Sequence, residues 1–129
     1  MRVRVERIRD LVSRTFSKGN HMAKYTLIAS RDAFESKESE RFCALAGDLK
    51  RAGNDVTLFL VQNGVLCARP SSVASELSKL AQEGVAVLAD SFSLRERGIA
   101  SDRLAAGIES AELDVIVDHM AEGRKVIWN

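Results

Sequence analysis

Three short apolar runs, with a segment of helical periodicity between the first two, constrain this chain more than any other feature. The runs cover residues 25–30, 56–61 and 85–89. The second is apolar almost throughout, and all three are predicted to be strands buried on both faces of a parallel sheet. Between the first two, apolar residues recur at three- and four-residue spacing from Phe42 to Leu49. Strands and helices that alternate in this way form βαβ units. We therefore predict an α/β fold, a small three-layer doubly wound sheet of about five mostly parallel strands.

Helix and strand signals continue beyond these runs. Ser36 and Ser72 precede apolar residues at helical spacing and are predicted to cap two helices. Residues 107–109 are predicted as a very short fourth strand, and residues 125–128 as a fifth. Ser110 is the predicted N-cap of the helix between these two strands. The predicted inward-facing residues of that helix are Leu113, Ile116, Val117 and Met120.

Size, charge and cysteine content exclude several classes of protein. A chain of 129 residues is long enough for one domain with its own core. Its formal net charge of +1 argues against a general nucleic-acid binder. No apolar run approaches the ~20 residues that cross a bilayer, so no membrane span is expected. Two cysteines make no disulfide framework, and we therefore expect a cytoplasmic location.

Residues 1–22 differ in character from residues 23–129, which we expect to form the α/β domain. They hold six basic residues against two acidic ones, a charge of +4. Because the whole chain carries +1, the remainder carries −3. The segment is predicted to be a basic amphipathic extension, either a loosely docked helix or a helix for a partner or a membrane surface. Alternatively, translation starts at Met22. The apolar residues of the segment at helical spacing are Val5, Ile8, Val12 and Phe16.

The polar stretch 90–98, which follows the third apolar run, is the predicted site. Open α/β sheets place ligands beyond the carboxyl ends of their strands, where helix N-termini favour anionic groups. Ser93 and Glu96 have the spacing of a capping box for a short helix, and Gly98 is able to end that helix.

Five side chains at this edge of the sheet are the predicted ligand-binding residues. Asp90 and Ser91 follow the third strand, and Arg95 and Arg97 supply positive charge for an anion. Asn63 lies in the loop after the second strand, which opens at the same edge. Alternatives remain open, since Asp90 is either a general base or a helix cap. The two arginines either bind a ligand or belong to a solvated surface or a subunit salt bridge.

Cys67 is the predicted reactive cysteine. Its loop, residues 62–70, is polar and expected to be exposed, and Arg69 would lower the pKa of the thiol. The topology could bring Cys67 and Asp90 to one crevice, although an incidental loop thiol fits the sequence equally well. Cys43 lies beside the inward face of the first helix and is expected to be a buried small apolar residue.

Recognisable motifs for a cofactor, a metal or catalysis are absent from the sequence. His21 and His119 have no cysteine or histidine at metal-ligand spacing. Neither a Gly-rich phosphate loop nor a G-x-S-x-G elbow occurs. We therefore predict no metal and no cofactor, and we favour a non-enzymatic role because no complete catalytic constellation is visible.

The order and spacing of several short segments resemble the DsrE/DsrF-like family over residues 24–129. The resemblance implies a small α/β domain that assembles into dimers, trimers or hexamers, so a homo-oligomer is expected. In chain order, the segments that carry it are Tyr25–Ser30, Ala46…Ala52-Gly53, Asp55–Leu60, Asn63-Gly64-Val65, Leu77…Leu80, Gly84–Val87, Arg97-Gly98-Ile99 and Gly107-Ile108-Glu109…Leu113…Lys125-Val126-Ile127.

This chain departs from the sulfur-relay members of that family (the DsrE and TusD type) at one position. Those members carry sulfur as a persulfide on a cysteine just after the third strand. Counted back from Arg97-Gly98, that place falls on Asp90, within a residue, and no cysteine occurs from 68 to 129. A carboxylate cannot hold a sulfane sulfur, because persulfide transfer needs a thiolate. Cys67 is the alternative carrier.

Two functions therefore follow as hypotheses. The resemblance implies a protein of sulfur metabolism, here a non-catalytic or atypical relay subunit that docks a persulfide-bearing partner protein. The alternative is a small-molecule binding module, in which the loop after the third strand holds an anionic or nucleotide-like ligand. A hydrolase that uses Asp90 is a third and weaker hypothesis, since no partner base or nucleophile accompanies it.

Overall fold

The protein is built on a five-stranded parallel sheet. The computed structural model describes residues 22–33, 35–71 and 74–129. All four strand pairings are parallel, and the strand order is β4-β3-β2-β1-β5. The predicted α/β class and strand number are confirmed. The strands are β1 (Lys24–Ala29), β2 (Asp55–Leu60), β3 (Ala86–Asp90), β4 (Ile108–Ala111) and β5 (Lys125–Trp128).

Within the described residues, four α-helices and one 3₁₀ helix connect the strands. Ser36 caps the first α-helix as predicted, since its Oγ accepts the N–H of Ser39 at 3.1 Å. Ser72, the predicted cap of the second, lies outside the described residues. The α-helices are α1 (Lys37–Arg51), α2 (Ala74–Gln82), α3 (Ser91–Glu96) and α4 (Asp114–Ala121), and the 3₁₀ helix is Gln62–Ala68.

The strand order reverses direction beside β1. From β1 the chain adds β2, β3 and β4 on one side, and β5 then pairs with the other side of β1. Loops diverge at such a switch point and leave a crevice at the carboxyl edge of the sheet, which is where ligands of doubly wound proteins bind.

Most of the core lies between the sheet and helices α1 and α2, on a side that we call the α1/α2 face. Alternate strand residues such as Leu27 and Leu58 point to it and are fully buried. The amphipathic face of α1 supplies Phe42, Leu45 and Leu49, all buried to within 1%. This face joins β1, β2 and β3 into one apolar cluster.

The opposite side of the sheet, the α4 face, has a much smaller core. Its buried members are Ile28, Phe59, Val61 and Ile116. The predicted inward face of α4 is largely wrong, since Leu113, Val117 and Met120 are 53%, 64% and 62% exposed. Ser110 is not the cap either.

The reason is the position at which α4 begins. Ser110 pairs with Ala89 inside β4, and the helix starts four residues later, at Asp114, with Leu113 as its N-cap. A helix of eight residues turns one stripe to the sheet. Here that stripe holds Ile116, with Val115 partly buried beside it.

The segment 62–70, predicted as a polar loop, is mostly ordered as the 3₁₀ helix. Gly64 permits this helix to lie against the end of β1, because a Cβ at that position would sit 2.2 Å from the carbonyl oxygen of Ala29. The close approach buries Val65 and Cys67 beneath the helix.

The predicted N-terminal extension falls almost wholly on residues 1–21, which lie outside the described residues, so the boundary near residue 22 stays a prediction. Among the helices of the described residues, none is both long and apolar enough to cross a membrane.

Candidate functional site

A cleft of about 840 Å³ opens at the carboxyl edge of the sheet, on the α4 face and beside the switch point. Its size is typical of small-molecule sites, which are mainly apolar with a few polar groups. The apolar lining consists of Ile28, Val61, Phe92, Leu113, Ile116 and Trp128. The polar lining consists of Gln62, Asn63, Asp90, Ser93, Glu96 and Arg97.

Asp90 lies on the cleft and caps α3. It is 3% exposed, and its Oδ2 accepts hydrogen bonds from the N–H of Ser93 at 3.0 Å and from the Oγ of Ser93 at 2.7 Å. The predicted capping box of Ser93 and Glu96 is therefore wrong, because β3 extends to Asp90 and the helix starts directly after it. Of the two interpretations of Asp90, the structure supports the helix cap.

The hydroxyl of Ser93 links this cap to the 3₁₀ helix. It accepts the N–H of Gln62 at 2.8 Å while it donates to Asp90. Gln62 has a backbone φ of 52°, a conformation that residues other than glycine adopt rarely. The hydrogen bond therefore holds a strained turn at the rim of the cleft.

Arg97 and Asn63 form the charged corner of the cleft. The Nε and Nη2 of Arg97 donate to the Oδ1 of Asn63 at 3.2 and 3.1 Å, and its Nη1 donates to the carbonyl of Ser93 at 3.3 Å. These acceptors are neutral, and no carboxylate among the described residues forms an ion pair with Arg97. Two of its five N–H donors remain for a further acceptor.

The other two predicted ligand-binding residues point elsewhere. Ser91 donates its hydroxyl to the Oε1 of Glu112 at 3.0 Å and does not line the cleft. Arg95 is exposed on α3 and also lies outside the lining. The structure therefore brings Asn63, Asp90 and Arg97 together in one cleft and separates Ser91 and Arg95 from them.

Cys67 is 3% exposed, so its predicted exposure is wrong. The thiol donates to the Oδ1 of Asp32 at 3.1 Å and accepts the N–H of Ala33 at 3.1 Å. Burial, followed by the hydrogen bond to Asp32, raises the pKa of Cys67 to about 12. Arg69 lowers the pKa as predicted, but its effect is the weakest of those present.

The two cysteines share a second cavity rather than the cleft. This cavity, of about 460 Å³, is lined by Cys43, Cys67 and Leu77 among others, and belongs to the α1/α2 face. The predicted burial of Cys43 is confirmed at 8% exposure. Burial, reinforced by nearby Cys67 and Asp32, raises the pKa of the Cys43 thiol to about 12. Cys67 and Asp90 therefore line different cavities.

His119 packs α4 against the sheet. Its Nδ1 lies 2.8 Å from the Oγ1 of buried Thr26, and partial burial, with the nearby Arg124, lowers the pKa of the imidazole. Within residues 22–33, 35–71 and 74–129, no group of three or more His, Cys, Asp or Glu side chains is placed to hold a metal ion.

The aromatic walls of the cleft were not predicted from the sequence. Phe92 and Trp128 are 56% and 48% exposed, an uncommon state for large apolar side chains. A usable signal existed for Trp128, because it ends the predicted fifth strand and parallel strands present their carboxyl ends at one edge. Phe92 follows Asp90 by two residues and had no such signal.

Comparison with protein families gives one match, which spans nearly all of the described chain. The family model described as the DsrE/DsrF-like family matches residues 23–128. Among curated proteins no match was found.

Three solved structures with the same fold illustrate the likeness. The YchN protein of E. coli is 22% identical with a TM-score of 0.74, over 84% of this chain and 100% of that one. The protein MTH1491 of Methanobacterium thermoautotrophicum is 21% identical with a TM-score of 0.66, over 84% and 100%. The protein BT1422 of Bacteroides thetaiotaomicron is 19% identical with a TM-score of 0.68, over 82% and 94%. At these identities the likeness shows the fold.

Proposed function

The chain belongs to the DsrE/DsrF-like family, and from that premise we propose that it acts in sulfur metabolism as a non-catalytic relay subunit that docks a persulfide-bearing partner. Persulfide transfer requires a thiolate that attacks the terminal sulfur of the donor persulfide and releases the donor thiolate. The question for this chain is therefore whether a thiolate is available at the site.

The observation that carries the proposal is the state of Asp90. This carboxylate occupies the place that the family resemblance gives to the sulfur-carrying cysteine, and it is committed to capping α3 through two hydrogen bonds from Ser93. A capped, buried carboxylate neither accepts nor releases sulfur. The cleft around it still presents exposed Phe92 and Trp128, which suit contact with a partner.

The two cysteines also favour a role without covalent sulfur. Both thiols are buried on the α1/α2 face, and their pKa values are raised to about 12, so they stay protonated near neutral pH. The role of Cys67 as a persulfide carrier stays a prediction, which its burial disfavours.

Intact-mass spectrometry after incubation with a cysteine desulfurase and cysteine tests the proposal. We expect no mass gain in the wild type and a gain of one sulfur atom, reversed by reductant, in Asp90→Cys. A thiol at position 90 would line the cleft at the N-terminus of α3, where the pKa of a thiol is lowered, whereas the pKa of Cys67 is raised. Ser101→Cys, which puts a thiol on an exposed turn outside the cleft, is the matched control and is expected to gain less. A reversible gain in the wild type that Cys67→Ser abolishes would instead make Cys67 the carrier.

Partner docking needs its own measurement, because absence of sulfur transfer alone does not show binding. A relay protein loaded with persulfide is expected to bind the wild type, and Trp128→Ala is expected to weaken that binding about tenfold or more, as loss of a central aromatic contact does. If no relay protein binds in either persulfide state, the proposed role is wrong.

A small-molecule binding module is the second function that the cleft supports. The specific observation is Arg97, whose guanidinium rests on neutral acceptors and keeps two N–H donors for an anion. The cleft volume of about 840 Å³ lies in the range of small-ligand sites.

The sole tryptophan of the chain reports directly on this alternative. Anionic metabolites and nucleotides that bind are expected to change the fluorescence of Trp128, and Arg97→Gln is expected to weaken them while Arg95→Gln does not. A metabolite panel that shifts neither the fluorescence nor the melting temperature would exclude the ligand-binding alternative.

Homo-oligomerisation and a cytoplasmic location complete the proposal. The edge strands β4 and β5, each four residues long, present backbone groups that a neighbouring subunit could pair with. Both cysteines are free thiols, as a reducing compartment favours. Light scattering coupled to gel filtration tests the first point, and cell fractionation tests the second.

A further inference from the structure

The outer face of α4 is an apolar surface that the described chain leaves uncovered. Leu113, Val117 and Met120 lie at helical spacing and form one stripe, and each is more than half exposed. Leu113, at the start of the stripe, also borders the cleft. We call this stripe the α4 stripe. Exposed apolar stripes on a helix mark sites of contact with another apolar surface.

Acidic side chains border the α4 stripe. Asp114 and Asp118 are one turn apart on the same helix, and neither forms an ion pair with a residue in the described ranges. From 109 to 122 the chain holds five acidic residues and no lysine or arginine. The segment that covers the stripe should therefore be basic as well as amphipathic.

We propose that the chain's own residues 1–21 bind the α4 stripe. The segment carries the matching chemistry, with six basic residues, two acidic ones and the apolar positions Val5, Ile8, Val12 and Phe16 at helical spacing. Its charge of +4 faces a body of −3. The proposal rests on the α4 stripe alone and does not depend on the proposed sulfur or ligand role.

The described chain begins at the right place for this contact. Met22 lies two residues before the start of β1, at the amino edge of the sheet. Helix α4 ends at the same edge, where His119 contacts Thr26 and Lys125 pairs with Tyr25. The eight residues of α4 span about 12 Å, while six extended residues reach about 20 Å. The connection from Phe16 to Met22 is therefore long enough to place the apolar positions on the stripe.

Covalent attachment favours this segment over a separate partner of the same chemistry. A short connection holds it at an effective concentration in the millimolar range. A free basic helix would have to compete with that.

Paramagnetic broadening of the Met120 methyl signal tests the contact on the full chain. A spin label is attached at Ser17→Cys, which is practicable because both native thiols are buried and protonated. The chain has three methionines, so methyl-labelled methionine gives few signals, and Met120→Leu assigns the one of interest. We expect the Met120 signal to lose most of its intensity and to recover when the label is reduced.

A charge exchange makes the test specific. Asp114→Lys with Asp118→Lys is expected to abolish the broadening, and adding Arg7→Glu with Arg14→Glu is expected to restore it. Asp102→Lys, which reverses an exposed charge in the loop before β4, is the control and is expected to leave the broadening unchanged.

Three outcomes would overturn the proposal. The first is an unbroadened Met120 signal in the labelled chain, and the second is broadening that survives the charge reversal. The third is broadening in a mixture of spin-labelled and methyl-labelled molecules, which would show that a second copy covers the stripe instead.

Discussion

The two sides of the sheet differ in how completely helices cover them. On the α1/α2 face, helices of fifteen and nine residues and the 3₁₀ helix bury a continuous cluster across β1, β2 and β3. On the α4 face, one helix of eight residues buries four residues and leaves Val117, Met120 and Trp128 exposed. One face therefore holds most of the core, and the other holds the cleft and the uncovered stripe.

The difference follows from where the chain places its helices. Three successive strands are connected on the α1/α2 face, whereas the α4 face receives only the β4-to-β5 connection. Binding surfaces need accessible groups, and apart from the cavity beside the two cysteines the α1/α2 face has its apolar groups packed in the core. The two faces thus divide stability from recognition, and that division can be tested.

Replacing a phenylalanine by alanine on each side of the sheet should give the largest difference in the free energy of unfolding. Phe42 is 1% exposed in the main cluster, and Phe92 is 56% exposed at the cleft. We expect Phe42→Ala to lower the free energy of unfolding by about 4 kcal/mol, and Phe92→Ala to change it by no more than about 0.5 kcal/mol. Urea unfolding followed by circular dichroism measures both. Equal losses would contradict the division.

Gly64→Ala is the next largest expected effect. The added Cβ would meet the carbonyl oxygen of Ala29 at 2.2 Å, and a backbone oxygen of a central strand cannot move aside cheaply. We expect the free energy of unfolding to fall by about 3 kcal/mol, at the upper end for overpacking. The change in Trp128 fluorescence on adding anionic ligands should also become smaller. Ser101→Ala, in an exposed turn outside the cleft, is the control, with a change of at most about 0.5 kcal/mol and an unchanged fluorescence response.

The buried thiols should make the α1/α2 face sensitive to alkali. The pKa of Cys43 and of Cys67 rises from 9.0 to about 12 on folding, so the unfolded chain loses these protons first. The contribution of the buried thiols to the free energy of unfolding is therefore fully present below pH 9 and decreases as the pH rises from 9 towards 12. Melting temperatures between pH 8 and pH 11 should show this fall, reduced in Cys43→Ala. A flat profile would contradict the burial of the thiols.

His119 should give the α4 face a smaller sensitivity to acid. Partial burial, then Arg124, lowers the pKa of His119 below 6.5, so the unfolded chain binds this proton more readily than the folded one. The contribution of neutral His119 to the free energy of unfolding is fully present above pH 6.5 and decreases as the pH falls below that value. The melting temperature of the wild type should decline more steeply than that of His119→Gln in this range. If the two melting profiles run parallel, His119 is not the source of the acid sensitivity.

Several features of the site could be predicted from sequence because they are local. The third apolar run and the polar residues after it placed Asp90 at the carboxyl end of a buried strand. Arg97 lies at the end of the short helix that begins after Asp90, and Asn63 lies just after the neighbouring strand β2, so both were expected near Asp90. The predicted exposure of Cys67 was wrong because it was inferred from the polarity of the surrounding segment. The segment instead forms a 3₁₀ helix, held close to β1 by the approach of Gly64 to Ala29, and this helix turns the thiol of Cys67 inward.

The α/β class, the five strands and the apolar face of α1 follow from local sequence patterns, because side-chain periodicity and caps are properties of neighbouring residues. Three features depend on how distant segments pack: which face of the sheet each helix covers, the exposure of Leu113, Val117 and Met120, and the meeting of Phe92, Trp128 and Arg97 in one cleft. Those outcomes depend on strand order and on where β4 ends. Both are set by packing between segments far apart in the chain, which no local pattern records.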